Sequence, residues 1–222
     1  MRLSVCIALT ICLISTAWAD DFGRPVTGEA KVTFLRAWNE RLRDLRTLHM
    51  VFKQAKHLRV LRQPLTAEGE LWLKGERLLY TLTNVAGDTE LVVHLEKQTI
   101  RTYYPLLNTL EVFELQTGGA LPQPLPFQYA DPEVLLRDYA VDLFLDPTGR
   151  YTLRLIPRDA KAPLAEIRLV LRDFQPQAMV QVEKNGTRVS MDITSFTANA
   201  EFSEAQLALH IPPGTRVVHP FK

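Results

Sequence analysis

Residues 178–195, AMVQVEKNGTRVSMDITS, decide the fold of this chain because they carry its clearest β-hairpin pattern. Asn185-Gly186 stands between two runs in which apolar and polar residues alternate. A two-residue type I′ turn needs positive φ at both central positions, and Asn-Gly adopts it readily. The sequence therefore predicts two antiparallel strands joined by a tight turn, with a register that the turn fixes.

This register gives the hairpin one apolar and one polar face. Val182 faces Val189 and Val180 faces Met191, so these four side chains share one face, with Ile193 further along. The opposite face carries Gln181, Glu183, Arg188, Ser190 and Asp192. We expect Glu183 and Arg188 to form an opposite-charge pair across the strands. One side of the sheet is thus expected to meet apolar groups and the other to meet water.

The N-terminal segment predicts export. Arg2 precedes an apolar run over residues 3–14, and Ala17-Trp18-Ala19 matches a signal-peptidase site. The run is too short to cross a bilayer. Cys6 and Cys12 are the only cysteines, and both fall in this segment. We therefore predict a leader at residues 1–19 and a single exported domain at residues 20–222, held without disulfides.

Composition argues against several classes of partner. The chain has 26 basic and 25 acidic residues, a balance that gives no support for nucleic-acid binding. Its five histidines are scattered without the spacing of a metal site, and no Gly-rich phosphate loop precedes a helix. We expect neither a metal nor a cofactor.

An amphipathic helix is predicted over residues 28–48. Leu35, Trp38, Leu42 and Leu45 recur at spacings of three and four, and Val32 extends the stripe. Thr27 precedes the helix as an N-cap candidate. A helix lying on a membrane surface is the alternative, but the mixed charge of the polar face favours packing on a core.

Short β-rich runs separated by turns make up most of the remaining chain. They cover residues 48–53, 70–74, 77–83, 90–95, 98–104, 109–115, 141–145, 151–156, 165–171 and 216–219. Turn signals at intervals of roughly 8–12 residues favour one antiparallel sheet that wraps on itself. Four prolines make residues 117–132 a loop, and Asp131-Pro132 begins a short helix that extends to Asp138. The count is about ten or eleven strands and two helices. Such a strongly curved sheet closes round a helix or leaves a cavity that the helices cover.

No catalytic constellation is evident, and we expect a binding protein. Ser190 and Ser195 belong to a regular strand without flanking glycines, and His94 adjoins the apolar pair Val92-Val93. A lipid hydrolase would need a nucleophile in the cavity, which the sequence does not supply.

Several short motifs occur in an order that resembles the LolA-type outer-membrane lipoprotein carriers. They are Phe52-x-Gln54, the run Gly69-Glu70-Leu71-Trp72-Leu73-Lys74, Tyr103-Tyr104-Pro105, Leu135-Leu136, Leu153-x-Leu155-x-Pro157 and Ile211-Pro212-Pro213-Gly214-Thr215. The resemblance implies a half-open antiparallel β-barrel, with a long N-terminal helix and a short helix covering a hydrophobic cavity for acyl chains. Gly75-Glu76 replaces the Arg-Pro that the carriers commonly have after this lysine, so a divergent relative is expected.

The resemblance also implies a function and partners. A monomeric periplasmic carrier, a chaperone of lipoprotein transport, would bind the acyl chains of a lipoprotein or other lipid. It would move that cargo from an inner-membrane donor protein towards an outer-membrane acceptor protein. The alternative is an RseB-like regulator that senses lipid and binds a partner protein. The residues predicted to line the cavity are Trp38, Leu42, Met50, Phe52, Leu71, Leu73, Leu78, Tyr80, Val93, Leu106, Leu135, Val180, Val182, Val189 and Met191. In the doublets Leu78-Leu79 and Val92-Val93 both residues are apolar, so the pattern does not decide which of the two points inward.

Overall fold

The computed structural model describes residues 22–114 and 132–220. The predicted leader at residues 1–19, with both cysteines, lies outside the described residues. The predicted proline-rich loop at 117–132 also lies outside them, except for Pro132, which is the first residue of a helix.

The described chain forms one sheet of thirteen strands and two α-helices. The strands are β1 Arg24–Val26, β2 Thr47–His57, β3 Leu65–Lys74, β4 Arg77–Asn84, β5 Thr89–Glu96, β6 Thr99–Tyr104, β7 Thr109–Glu114, β8 Tyr139–Leu145, β9 Tyr151–Pro157, β10 Leu164–Arg172, β11 Gln175–Glu183, β12 Arg188–Ala198 and β13 Arg216–Val218. The helices are α1 Gly28–Arg43 and α2 Pro132–Asp138, and two short 3₁₀ helices cover Pro105–Leu107 and Glu204–Leu207.

The strand order explains the open shape of the sheet. Its order is β1-β8-β9-β10-β11-β12-β2-β3-β4-β5-β6-β7-β13, and the sheet is curved and stays open between β1 and β13. Neighbours are antiparallel except β7 and β13, which are parallel. The predicted mainly β architecture with a curved sheet is confirmed. Both edge strands have three residues, so little unpaired backbone is exposed at either edge.

The predicted register of the hairpin is wrong by one residue. Glu183 N–H donates to the Thr187 carbonyl at 2.8 Å, and Gly186 N–H donates to the Glu183 carbonyl at 2.9 Å. The loop therefore has three residues, and Gly186 takes the left-handed conformation with φ of 89°. This is the geometry of a type I turn that ends in a glycine bulge, and it avoids a positive φ at Asn185.

The shift changes which side chains share a face. Met179, and not Val180, lies opposite Met191, while Val180 lies opposite Ser190. Val182 lies opposite Arg188, so the predicted pairing of Glu183 with Arg188 is also wrong. Because paired residues point to the same side, Val180 and Val182 lie on the face opposite to Val189 and Met191.

Helix α1 begins at Gly28 as predicted but ends at Arg43, before the predicted end at residue 48. Thr47 already pairs with Lys74, and the apolar spacing changes to two at this point. Thr27 occupies the N-cap position, but its side chain makes no capping hydrogen bond. Val32, predicted to extend the apolar stripe, is 39% exposed.

The two helices cover one face of the sheet, which we call the inner face. Buried residues of α1 and α2 form a single core cluster with residues of strands β2–β6 and β8–β12. Phe34, Leu35 and Trp38 are the buried residues of α1, and Leu135 is the buried residue of α2. The opposite side of the sheet is the outer face.

Candidate functional site

The inner face contains a continuous row of large apolar side chains across four strands. Met50 pairs with Leu71, Leu71 with Tyr80, and Tyr80 with Val93. Their exposed fractions are between 0 and 6%. Direct cross-strand pairs point to the same side, so these four side chains form one layer against the helices.

A second row contains the closest packing on this face. Phe52 pairs with Gly69, and a Cβ at position 69 would lie 1.9 Å from Phe52 Cζ. The Phe52 ring therefore lies over the glycine backbone, where it also stacks on Tyr80 at 5.5 Å between ring centroids. The third row on these strands continues the apolar surface with Leu48, Leu73, Leu78 and Leu95.

The other half of the sheet continues the same face. Leu143 pairs with Leu153, Leu153 with Leu169, and Leu169 with Met179, which faces Met191. All five are buried. Because β12 pairs with β2, the two halves form one apolar surface on either side of that junction.

Helix α1 is fixed over this surface by aromatic and polar contacts. The Phe34 ring lies 4.2 Å from that of Tyr151 and 5.3 Å from that of Phe174, measured between centroids. Lys31 Nζ donates to the Val141 carbonyl at 2.9 Å. The helix is thus attached to β8, β9 and the β10–β11 turn, and its Trp38 is fully buried.

Few polar groups interrupt the inner face. Tyr80 donates from its hydroxyl to Gln54 Oε1 at 3.4 Å, and burial raises the pKa of this tyrosine. Trp38 Nε1 is buried and has no hydrogen-bond partner in the described part of the chain. A buried indole N–H normally has an acceptor, so this donor marks a place where a carbonyl oxygen would be favourable.

The structure brings together most of the residues predicted to line a cavity. The strand residues on the inner face are Met50, Phe52, Leu71, Leu73, Leu78, Tyr80, Val93, Val189 and Met191. The helical residues packed against it are Trp38, Leu42 and Leu135. Leu78 and Val93 lie on the inner face, which decides the orientation that the doublets Leu78-Leu79 and Val92-Val93 left open. Contact of these residues with a ligand remains a prediction.

Three predicted cavity residues lie elsewhere. Val180 and Val182 lie on the outer face because of the register shift. Leu106 lies in the 3₁₀ helix after β6 and is 68% exposed. The prediction also missed inner-face residues of β8–β11, namely Val141, Leu143, Leu153, Leu155, Ile167, Leu169 and Met179. The alternation of Leu153-x-Leu155 and Ile167-x-Leu169-x-Leu171 was the signal that could have identified most of them.

A smaller cluster occupies the outer face of β3–β5. Leu207 of the second 3₁₀ helix is fully buried, and Phe202 packs edge-on against Trp72, whose other ring contact is His49 at 3.7 Å. His94 is buried beneath this segment, and burial lowers its pKa. Glu204 accepts hydrogen bonds from Lys74 and Arg77, which lower the pKa of its carboxyl group. These contacts hold residues 202–207 against the sheet.

A polar surface pocket of about 710 Å³ lies where α1 ends and β2 begins. It is lined by Arg43, Asp44, Arg46, Thr47, Asn199, Ala200 and Glu201. Asn199 Oδ1 accepts from Arg46 N–H at 3.0 Å, and Thr47 Oγ1 donates to the Ala200 carbonyl at 2.7 Å. These bonds use the polar groups to join β2 to the end of β12, so we assign the pocket a structural role.

Residues 22–114 and 132–220 contain no group of three histidine, cysteine, aspartate or glutamate side chains that could hold a metal. Within the same residues, neither helix has the length and apolar character needed to cross a membrane.

No protein-family model and no curated protein matches this chain. Its fold is similar to that of an uncharacterized conserved protein from Thermus thermophilus, with a TM-score of 0.53 and 12% identity over 85% of this chain and 99% of that one. A LolA superfamily protein from Nitrosomonas europaea has a TM-score of 0.44 and 9% identity, covering 80% of this chain and 97% of that one. A chain of the Pseudomonas aeruginosa MucA/MucB complex has a TM-score of 0.44 and 18% identity, covering 80% of this chain and 61% of that one. The similarity to the Thermus thermophilus protein concerns the fold alone.

Proposed function

We propose that this protein binds acyl chains of a lipoprotein or other lipid on its inner face and carries them through the periplasm, from the inner towards the outer membrane. The observation that carries the proposal is the continuous apolar inner face beneath two short helices. The order of the LolA-type motifs along the sequence supports the same function. In this account α1 and α2 cover the face when it is empty and move aside for cargo.

The energetics of acyl burial explain why such a cover is needed. Burial of an acyl chain yields about 0.8 kcal/mol per CH₂, or roughly 10 kcal/mol for sixteen carbons. A permanently open cavity that buried several chains would hold its cargo too tightly for release. When the helices pack on the inner face, they bury the same surface that the acyl chain would cover. The net free energy of cargo binding is therefore only the difference between burial by the acyl chain and burial by the helices, so binding stays reversible.

The buried Trp38 indole also destabilises the closed, empty state. A buried donor without a partner costs about 1–3 kcal/mol, and Trp38 Nε1 has no acceptor among the described residues. The ester or amide carbonyl at the head of an acyl chain supplies one. The proposal therefore includes preference for a lipid with a carbonyl over a plain alkane of equal length.

A fluorescent acyl probe and two matched glutamine variants test the proposal. Leu73 is half-buried on the inner face, and Val180 is half-buried on the outer face of the same sheet. We expect Leu73→Gln to weaken probe binding about tenfold, because it places a polar group on the binding surface. Val180→Gln should bind like the unmodified protein. Equal affinity of all three proteins for the probe, or no binding by any of them, would contradict the proposal.

A second measurement separates a carrier from a lipid-sensing regulator. A carrier transfers a labelled acyl cargo between two vesicle populations, whereas a regulator retains the lipid and changes its affinity for a protein partner. We expect transfer between vesicles at a rate that rises with protein concentration. Binding without transfer would leave the acyl site intact and reject the carrier role.

A further inference from the structure

Several loops lie side by side at one end of the sheet. Arg188 at the start of β12 lies opposite His57 at the end of β2, which places the hairpin loop beside the β2–β3 loop. The pairing of β3 with β4 and of β5 with β6 brings the next two connections to the same end. We call this end the loop rim. It consists of residues 58–64, 85–88, 105–107 and 184–186.

Exposed apolar side chains are concentrated at this end. Among the described residues, ten large hydrophobic side chains are exposed, and six of them lie in the rim loops or at the first residue of β3. Those six are Val60, Leu61, Leu65, Val85, Leu106 and Leu107, whereas Val32, Val134 and Leu136 are on the helices and Val217 is in β13. Val60 is 88% exposed and Val85 is 86% exposed. Leaving such side chains in water is unfavourable, so their shared location indicates a surface that is covered in use.

Positive charge accompanies the apolar residues in the β2–β3 loop. Lys56, Arg59 and Arg62 are exposed, and residues 54–67 contain no aspartate or glutamate. None of these three cations forms an ion pair with another described residue. The chain is balanced overall, with a net charge of +1, so this loop is a local basic site.

The β2–β3 loop is held against the hairpin loop. A Cβ built on Gly186 would lie 2.8 Å from Arg59 Cδ, so the arginine side chain lies directly on the glycine backbone. The hairpin loop adds the exposed Lys184, whose Nζ donates to the Ala160 carbonyl. Acidic residues in the adjoining loops include Asp88 in the β4–β5 turn, Asp159 beside Ala160, and Glu183, which accepts from Asn185 Nδ2 at 2.8 Å.

We infer that the loop rim docks on the surface of a bilayer that contains anionic lipids. Val60 and Leu61 enter the layer between the headgroups, while Arg59 and Arg62 bind lipid phosphates. A bilayer fits better than a protein partner because the apolar residues are on separate loops with cations between them. A soft interface accepts such separate insertions, whereas a protein surface would need one contiguous patch. The inference goes beyond acyl-chain carriage and does not require it.

Vesicle flotation tests the inference. The full chain is expressed for export and purified as the cell processes it, and its N-terminus is determined by mass spectrometry. It is mixed with vesicles of phosphatidylcholine alone, or of phosphatidylcholine with phosphatidylglycerol, at low and at high salt. We expect binding to the anionic vesicles that decreases with salt and is at least tenfold weaker for phosphatidylcholine alone.

Variants with matched controls locate the binding surface. The rim variants are Val60→Ser with Leu61→Ser, and Arg59→Gln with Arg62→Gln. The controls are Val32→Ser, and Arg36→Gln with Arg43→Gln, which change exposed residues of α1. We expect each rim pair to weaken binding about tenfold, with normal uptake of the acyl probe, and the controls to bind normally. Absence of binding to anionic vesicles, or equal loss in rim and control variants, would overturn the inference. Failure of acyl binding alone would leave it standing.

Discussion

Phe52 and Gly69 illustrate how single residues set the shape of the inner face. The Phe52 ring occupies the space above Gly69, where a Cβ would come within 1.9 Å of it. Gly69 begins the motif Gly69-Glu70-Leu71-Trp72-Leu73-Lys74, but its φ is not in the left-handed region. Glycine is therefore required here for space and not for backbone conformation.

Replacement of Gly69 by alanine should destabilise the protein. The added methyl group must displace a large ring within a packed core, which costs about 1–3 kcal/mol. Urea denaturation measures the free energy of unfolding. Phe52→Leu removes the ring, so in that background Gly69→Ala should cost much less. An equal cost in both backgrounds would show that the ring is not the cause.

The orientation of individual side chains was predictable only where alternation was clear. Met50 and Phe52 were correctly placed on one face because the spacing of two in Leu48-x-Met50-x-Phe52 indicates one side of a strand. Val180 and Val182 were placed on the wrong face because Asn185-Gly186 is compatible with two loop lengths. A register shift of one residue turns every side chain of a strand to the opposite face. The uncertain loop length therefore placed both valines on the wrong face.

At the scale of elements, the short 3₁₀ helix Glu204–Leu207 has an effect that its length does not indicate. It packs Leu207 against the outer face and encloses His94. The sequence predicted no role for this segment, because four residues give no periodic pattern. Its position depends on contacts with β3 and β4, which are far away in the chain.

The burial of His94 predicts a pH dependence of stability. Burial is the main cause that lowers its pKa below 6.5; Arg101 and Arg77 lower it further, while Glu96 and a hydrogen bond to the Leu207 backbone oppose them. The unfolded chain therefore takes up this proton first as the pH falls. Stability should be full above the unfolded pKa and should decrease as the pH drops through it towards the lower folded value.

Urea midpoints between about pH 7.5 and about pH 5.5 check this prediction. We expect the midpoint to fall with pH in the unmodified protein, and the fall to become smaller in His94→Gln. His57→Gln changes an exposed histidine and serves as the control. The explanation fails if His94→Gln keeps the full dependence on pH.

Helix α1 shows why the ends of elements are hard to predict. Its apolar stripe correctly located Leu35 and Trp38 in the core. The same spacing continued through Leu45, so the predicted helix extended to residue 48. Pairing of Thr47 with Lys74 and of Leu48 with Leu73 ends it earlier, and these contacts are not local in sequence.

At the scale of the whole molecule, alternation and regular turns predicted a curved antiparallel sheet but not its strand order. β12 lies next to β2, and this junction joins the two halves of the inner face. Strand β1 has three residues, too few to give a pattern, and was not predicted, whereas β13 corresponds to the predicted run at residues 216–219. Such long-range pairing depends on the folded topology and not on any local signal.

The two proposals place two functional surfaces on one molecule. In the proposed function the inner face binds an acyl chain under α1 and α2, and in the further inference the loop rim docks on a lipid surface. The apolar character of the inner face results from strands throughout the chain, whereas the rim depends on a few loops. The first assignment is the central claim, since the rim can dock whether or not a lipid is bound.

Native mass spectrometry with lipid extraction tests that claim most directly. The protein is purified from the periplasm without detergent, so that a natural ligand is kept. We expect a fraction of the protein to carry an acylated molecule, whose mass identifies the class of cargo. Protein that is empty, and that also fails to bind a fluorescent acyl probe, would contradict the account.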